Sequence, residues 1–313
     1  MRIHVLGSAA GGGFPQWNCN CPMCAGQRSG AVAASARTQS SIAVSGDDAS
    51  WVLFNASPDI LQQIREFPAL QPGRSLRDTA IAAIVLIDAQ IDHTTGLYML
   101  REHRERLPIW CTALVREDLT LGNPLFRLLE HYCGIDWHEI AVGQDRAGGG
   151  ANSRFEIPAA KGLAFEPIPL KSNAPPYSPH RDAPQPGDNI GVTIRDQSSG
   201  RSVFYAPGLV EIEPHVWQAM QQADVVLVDG TLWTDDEMIK LGASKKTGRA
   251  MGHLAQSGEG GMIDWLARLP ASTRRILIHI NNTNPILDDN SAERRELTAR
   301  GIEVAHDGMD IVL

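Results

Sequence analysis

An apolar run, Ile81-Ala-Ala-Ile-Val-Leu-Ile87, ends abruptly in a polar cluster, Asp88-Ala-Gln-Ile-Asp-His-Thr-Thr95. Its length and β-branched content are those of a buried strand. Such strands belong to layered α/β architectures, where ligands gather beyond the strands' carboxyl ends. Asp88, Gln90, Asp92 and His93 are therefore expected at a site rather than on a solvated surface. A helix-like segment is expected to follow from 95 to about 107.

Short apolar strands alternate with helix-period segments along most of the 313 residues. Strands are expected over 2–6, 40–44, 51–55, 80–87, 109–111, 163–169, 190–195, 202–205, 225–229, 275–279 and 302–304. Helices are expected over 58–66, 116–121, 125–130, 210–222, 257–268 and 292–300. Hairpins, a helix and a second round of the same order predict two packed sheets with helices outside, an α/β fold forming one domain over 1–313. Three segments read as loops: 143–153, the proline-rich 172–188, and 234–252. Their lengths suit lids or binding loops, and equally suit surface excursions.

A net charge of −8 without a Lys/Arg stripe argues against nucleic acid as a partner. The longest apolar runs are of strand length, so no membrane span is expected. Met1-Arg-Ile-His-Val-Leu-Gly7 reads as a first strand rather than a signal peptide, and a cytoplasmic protein is expected. Three of the five cysteines fall in Cys19-Asn-Cys21-Pro-Met-Cys24, within a loop at about 17–26. Thiolates at this spacing suit a structural Zn2+ site with a fourth ligand from elsewhere; the plainer reading is three unrelated reduced thiols. Cys111 and Cys133 read as small core residues. Gly7-Ser-Ala-Ala-Gly-Gly-Gly-Phe-Pro15 lacks the Lys-Ser/Thr of a phosphate cradle and reads as a turn passing close to a bound group.

The spacing Asp88-x-Gln90-x-Asp92-His93 is similar to the H-x-H-x-D-H signature of the metallo-β-lactamase superfamily, with its first two histidines replaced. Five landmarks stand in one order: residues 7–24, Asp92-His93, Gly252-His253, Ile278-His-Ile-Asn-Asn-Thr-Asn-Pro285 and Asp307-Gly-Met309. Together they resemble the B proteins of pyrroloquinoline quinone (PQQ) biosynthesis within that superfamily, over essentially the whole chain. The resemblance implies a metallo-β-lactamase-like αββα four-layer sandwich. Set against a catalytically complete phosphodiesterase relative, it implies that the first metal's ligands are lost. That enzyme's ligand histidines fall at Asp88, at Gln90 and near Ser172, and its bridging aspartate falls near Ala206 and Pro207. Its last ligand histidine is kept as His279, and a non-ligand active-site histidine as His253. Its fourth zinc-cluster ligand falls at Asn282, so Asn282, water or a distant histidine has to complete the tetrahedron.

Asp92, His93 and His279 then remain as ligands, one carboxylate and two imidazoles. That set is the one associated with non-haem Fe(II) oxygenases, whereas two-metal hydrolysis needs a nucleophile held between two ions. The active-site ion is read as Fe2+, with Zn2+, Mn2+ and Cu2+ left open. The resemblance implies hydroxylation of the tyrosine ring of a cross-linked Glu–Tyr dipeptide or peptide precursor of PQQ, with dioxygen as co-substrate. The alternatives are a non-catalytic carrier of PQQ or its precursor, and a residual single-zinc hydrolase. A homodimer stays open.

Each assignment has a plainer alternative. Asp92 and His93 are ligands or caps of the following helix; His279 is a ligand or a satisfied buried histidine. His253 is a fourth ligand, an acid–base group or a surface histidine. Asp229 orients a ligand histidine or caps the next loop. Asp88 and Gln90 contact the metal's water or a substrate amine, or merely fill space. Lys171, Lys245, Lys246 and Arg249 clamp substrate carboxylates or are simply solvated. Trp17 and Trp233 stack on an aromatic substrate or pack in the core.

Overall fold

The computed structural model describes residues 1–143 and 154–313, so the loop expected at 143–153 lies, apart from Gly143, outside the described residues. In chain order the strands are β1 (Arg2–Gly7), β2 (Ser41–Ser45), β3 (Trp51–Phe54), β4 (Ile81–Val85), β5 (Leu107–Cys111), β6 (Ile135–Glu139) and β7 (Leu163–Pro169). There follow β8 (Ile190–Asp196), β9 (Ser202–Ala206), β10 (Val225–Asp229), β11 (Arg274–Ile278), β12 (Ile302–Val304) and β13 (Asp310–Val312). They form a seven-stranded sheet, β13-β1-β2-β3-β4-β5-β6, and a six-stranded sheet, β12-β11-β10-β9-β8-β7. The two halves of the chain share one pattern. Antiparallel pairings come first (β1–β2–β3 and β7–β8–β9), then parallel ones (β3 to β6 and β9 to β12).

Strand alternation assigns the faces, since residues two apart point the same way. Val52, Phe54, Ala83 and Val85 of the first sheet meet Val203, Tyr205, Leu227 and Ile276 of the second in a shared core. Phe54 and Tyr205 touch edge-on across it, with ring centroids 5.7 Å apart; such a pair adds about 1 kcal/mol beyond its buried area. The alternate residues Leu53, Ile84 and Ile109 pack outward on Ile60, Leu97, Val115 and Leu129 of the first helical layer. On the other side Phe204, Val226, Val228 and Leu277 pack on Val216, Met220, Met262 and Leu297. Three cores between four layers make the αββα sandwich that the resemblance implied.

Most expected elements stand within a few residues of their predicted bounds. The helix expected to reach 107 does not form. Its place is taken by a one-turn helix, Ile91–Thr94, and a 3-10 segment, Thr95–Leu100. There Gly96 lies so close to the Ser57 carbonyl that a Cβ would sit 2.2 Å from it. The charged residues 101–106 end the segment before the apolar run of β5. β6 and β13, both short and at sheet edges, were not anticipated. Nor was the helix Pro22–Ser29 inside the cysteine loop, which opens with proline in its first turn and closes on Gly30 in left-handed backbone. The loop expected at 234–252 contains two one-turn helices, Glu237–Lys240 and Gly248–Met251. No helix among the described residues is long and apolar enough to cross a membrane.

Candidate metal centre

The carboxyl ends of β4, β10 and β11 converge where the two sheets meet. Beyond β4, the turn through Asp88 and Gln90 feeds the helix Ile91–Thr94, which delivers Asp92 and His93 to one point. Beyond β11, the chain enters left-handed backbone at His279, with φ of 62°. The glycine loop after β1 closes over Asp92: a Cβ on Gly11 would come 3.1 Å from Asp92 Oδ2.

His93 is buried, and its Nδ1 lies 2.8 and 2.9 Å from the two carboxylate oxygens of Asp88. Nδ1 therefore carries a hydrogen donated to Asp88. His93 Nε2 is buried without a protein hydrogen-bond partner, 3.8 Å from Asp92 Oδ2. His279 Nε2 stands 3.3 Å from that same oxygen. One donor atom from each of Asp92, His93 and His279 falls within 4.8 Å of the others. An orphaned imidazole nitrogen facing a carboxylate and a second imidazole is a cradle that a cation fits, and the carboxylate behind His93 is the usual support for such a ligand.

Asp229, His253 and His279 form a second group of equal compactness. At its centre sits Thr231 Oγ1, 2.6 Å from Asp229 Oδ1, 3.0 Å from His253 Nδ1 and 2.9 Å from His279 Nδ1. A hydroxyl at hydrogen-bond distance from all three leaves no space for an ion, so this group is a proton network. His253 Nδ1 donates to Asp229 Oδ2 at 2.8 Å, leaving Nε2 turned away from that pair.

These contacts set the charges in the metal-free chain. Burial opposes a charged His93, yet Asp88 and Asp92 outweigh it and push His93 up to about 9. Burial prevails at His279 and lowers it, although Asp92 pulls the other way. For His253, burial again opposes the charge, and the Asp229 carboxylate raises it nonetheless. Burial would raise Asp92, but His93 and His279 hold it well below the usual carboxylate range.

Gln90 points elsewhere. Its amide donates to the Asn173 carbonyl at 3.1 Å, while Ser172 Oγ and Asn173 Nδ2 donate to the carbonyls of Gly252 and Ala250 at 3.0 and 3.1 Å. The segment 172–188 is thereby strapped to the end of β4 and to the turn carrying His253. On the rim, Lys171 pairs with Glu211 at 2.8 Å, and Lys245, Lys246 and Arg249 are exposed. Trp17 is 86% exposed and so is not a core residue, whereas Trp233 packs against the core of the second helical layer.

At the cysteine site Cys21 caps the helix Pro22–Ser29, accepting from the Cys24 N–H. The Sγ atoms of Cys19, Cys21 and Cys24 cluster, and among the described residues no fourth His, Cys, Asp or Glu joins them. Asn282 does: its side-chain amide nitrogen is 3.3 Å from Cys24 Sγ and 3.8 Å from Cys21 Sγ, and its main-chain carbonyl oxygen is 3.5 Å from Cys21 Sγ. A flip of that amide would present its oxygen to the same thiols. Burial pushes the Cys21 thiol up to about 12, so an ion must displace its proton to bind. The rest of the Asn-rich run is scaffolding. The Asn281 N–H and Asn284 Nδ2 both donate to the Thr231 carbonyl, and Thr283 Oγ1 donates to Glu237 Oε1.

The sequence points to every residue of these groups, but not to Thr231, which links Asp229, His253 and His279. Asp88, expected to contact the metal's water or a substrate amine or merely to fill space, lies at hydrogen-bond distance from His93 Nδ1. Asp88 precedes His93 by five residues across a strand-to-helix turn, a spacing that could have suggested the pair. Nothing local announces that Thr231 faces His279.

Residues 50–280 match the family model of the beta-lactamase superfamily domain. The chain is 70% identical to coenzyme PQQ synthesis protein B of Azoarcus sp. (strain BH72), covering all of both chains. It superposes on Zn(2+)-bound PqqB from Methylobacterium extorquens with a TM-score of 0.88 and 36% identity, again over the full length of both. A diphosphatase of the PhnP family shares the fold, with a TM-score of 0.67 and 17% identity over all of this chain and 97% of that one.

Proposed function

This chain belongs to the coenzyme PQQ synthesis protein B family of the β-lactamase superfamily, and from that premise we propose that it acts in PQQ biosynthesis as a single-metal oxygenase. Its substrate is the cross-linked Glu–Tyr precursor, as dipeptide or peptide, and the reaction places oxygen on the tyrosine ring. The observation that carries this reading is the donor set itself: Asp92, His93 and His279 converge, while Asp88 and Gln90 are engaged by His93 and Asn173. The other compact group among the described residues, Asp229, His253 and His279, shares His279 with the first and is hydrogen-bonded through Thr231, which does not favour a two-ion hydrolytic centre.

Asp92, His93 and His279 would hold the active-site ion, and Cys19, Cys21 and Cys24 a structural Zn2+. A ferrous ion at the first site supplies dioxygen activation. The protein supplies the rest. Asp88 keeps His93 Nε2 aimed at the site, and the glycine loop at Gly11 covers Asp92. His253, with Nδ1 held by Asp229, takes the phenol proton on Nε2, and the Asp229 carboxylate stabilises the resulting imidazolium. One oxygen atom enters the ring; the other leaves as water, with two electrons from an external reductant and two protons.

The test loads anaerobic protein with Fe2+, adds cross-linked Glu–Tyr peptide and a reductant, and admits air. The expected result is an iron-dependent mass gain of one or two oxygen atoms, absent with Zn2+ and absent in His279→Ala. Tight binding of the peptide or of PQQ without any mass change would support a carrier instead. Phosphodiester or peptide cleavage by the zinc form, without oxygen uptake, would support the residual hydrolase.

A further inference from the structure

Resting on the reading of Asp92, His93 and His279 as ligands of one ion, we propose that Thr231 is the positioning residue that fixes His279 for that ion. One buried carboxylate decides where the hydrogens around it lie. Asp229 is fully buried. Its Oδ1 faces the Thr231 N–H at 2.8 Å and the Thr231 hydroxyl at 2.6 Å; its Oδ2 accepts from the Leu209 N–H at 3.1 Å and from His253 Nδ1 at 2.8 Å.

A hydroxyl carries one hydrogen. Thr231 Oγ1 also lies 2.9 Å from the His279 carbonyl, but the Asp229 carboxylate oxygen, closer at 2.6 Å, takes that hydrogen. Towards His279 Nδ1, also 2.9 Å away, Thr231 can then only accept. Nδ1 then carries the ring hydrogen, and the lone pair of Nε2, 3.3 Å from Asp92 Oδ2, is the one offered to the ion. One hydroxyl thus transmits the choice made by Asp229 to a ligand it does not touch.

The backbone makes the placement firm. Asp229 pairs with Ile278 in the parallel β10–β11 ladder, so Thr231 and His279 leave adjacent strand ends side by side. The Asn281 N–H and Asn284 Nδ2 then grip the Thr231 carbonyl from the segment just beyond His279. Thr231 Oγ1 contacts the ring of a residue held in left-handed backbone, and so fixes the side chain of the ligand.

The experiment titrates Zn2+ into the full chain against a competing chelator, for the parent, Thr231→Val, Thr231→Ser and His279→Ala. The site lost in His279→Ala identifies the active-site ion; if parent and His279→Ala coincide, the metal reading itself fails. Given that site, Thr231→Val should weaken it by about 10- to 100-fold, as loss of a ligand's supporting partner does. Thr231→Ser should stay within about threefold of the parent, and the second, cysteine site should be unchanged in all four. Parent-like affinity in Thr231→Val would overturn the proposal. Should Thr231→Val not fold, nitrogen NMR of the zinc-loaded parent decides: a hydrogen on His279 Nδ1 is expected, and an ion bound at Nδ1 would overturn it.

Discussion

His93 and His279 stand with ring centroids 5.3 Å apart and are held for the same purpose by different means. At the end of β4, a carboxylate five residues upstream grips His93 directly. At the end of β11, a hydroxyl 48 residues upstream grips His279, with the carboxylate one step further back. Both arrangements put a hydrogen on Nδ1 and aim Nε2 at Asp92. They differ in charge. Direct contact with Asp88, reinforced by Asp92, raises His93 to about 9, so it is an imidazolium at neutral pH without an ion. Behind Thr231, burial outweighs the nearby carboxylates, and His279 stays neutral. A carboxylate in contact sets tautomer and basicity together; one acting through a hydroxyl sets the tautomer alone.

The contrast breaks most sharply with pH. Because an ion must displace the His93 proton, apparent affinity should rise about tenfold per pH unit from pH 6 and level off near 9. In Asp88→Asn the levelling should come nearer the ordinary histidine value of about 6.5. Chelator competition across that range checks both, and a flat parent profile between pH 7 and 9 would remove the imidazolium from the account. The same raised value also stabilises the metal-free fold. Its contribution is complete below the unfolded value near 6.5 and is lost as pH rises through about 9. The metal-free parent should therefore lose melting temperature over that interval, and His93→Asn should not.

Asp88→Ala sharpens the comparison at fixed pH. At pH 9, where the His93 proton hardly competes, it should weaken the active-site ion by about 10- to 100-fold, measured by the same competition, and leave the cysteine site alone. The smallest effect belongs to Gln90→Ala. It removes one hydrogen bond to the strap at Asn173, costs about 1 kcal/mol or less in urea unfolding, and leaves ion affinity unchanged.

The same contrast explains how far the sequence could be read. The layered fold was legible because buried strands such as Ile81–Val85 and Val225–Asp229 are near-continuous apolar runs, which few other structures accommodate. β6, Ile135–Glu139, escaped because an edge strand open to water can carry Asp136, His138 and Glu139. At the site, the residues that converge were legible from residue type and order: Asp92, His93, His279 and the three cysteines. What holds them in place was not. Asp88 was visible but given another partner, since a carboxylate in an emptied ligand position suggests substrate before it suggests a neighbour. Thr231 was invisible, because its partnership exists only once two parallel strands have brought residues 48 apart into register.

The left-handed backbone at His279 also has a meaning for anyone seeking a sturdier version of this protein. Glycine would accept that φ of 62° without the penalty, of order 1 kcal/mol or more, that a residue with a Cβ incurs there. Glycine at 279 would relax that backbone, but would remove a buried ring packed against His93 and His253 and delete a ligand of the proposed ion in the same step. At this position the side chain that burdens the backbone is the one the site is built around.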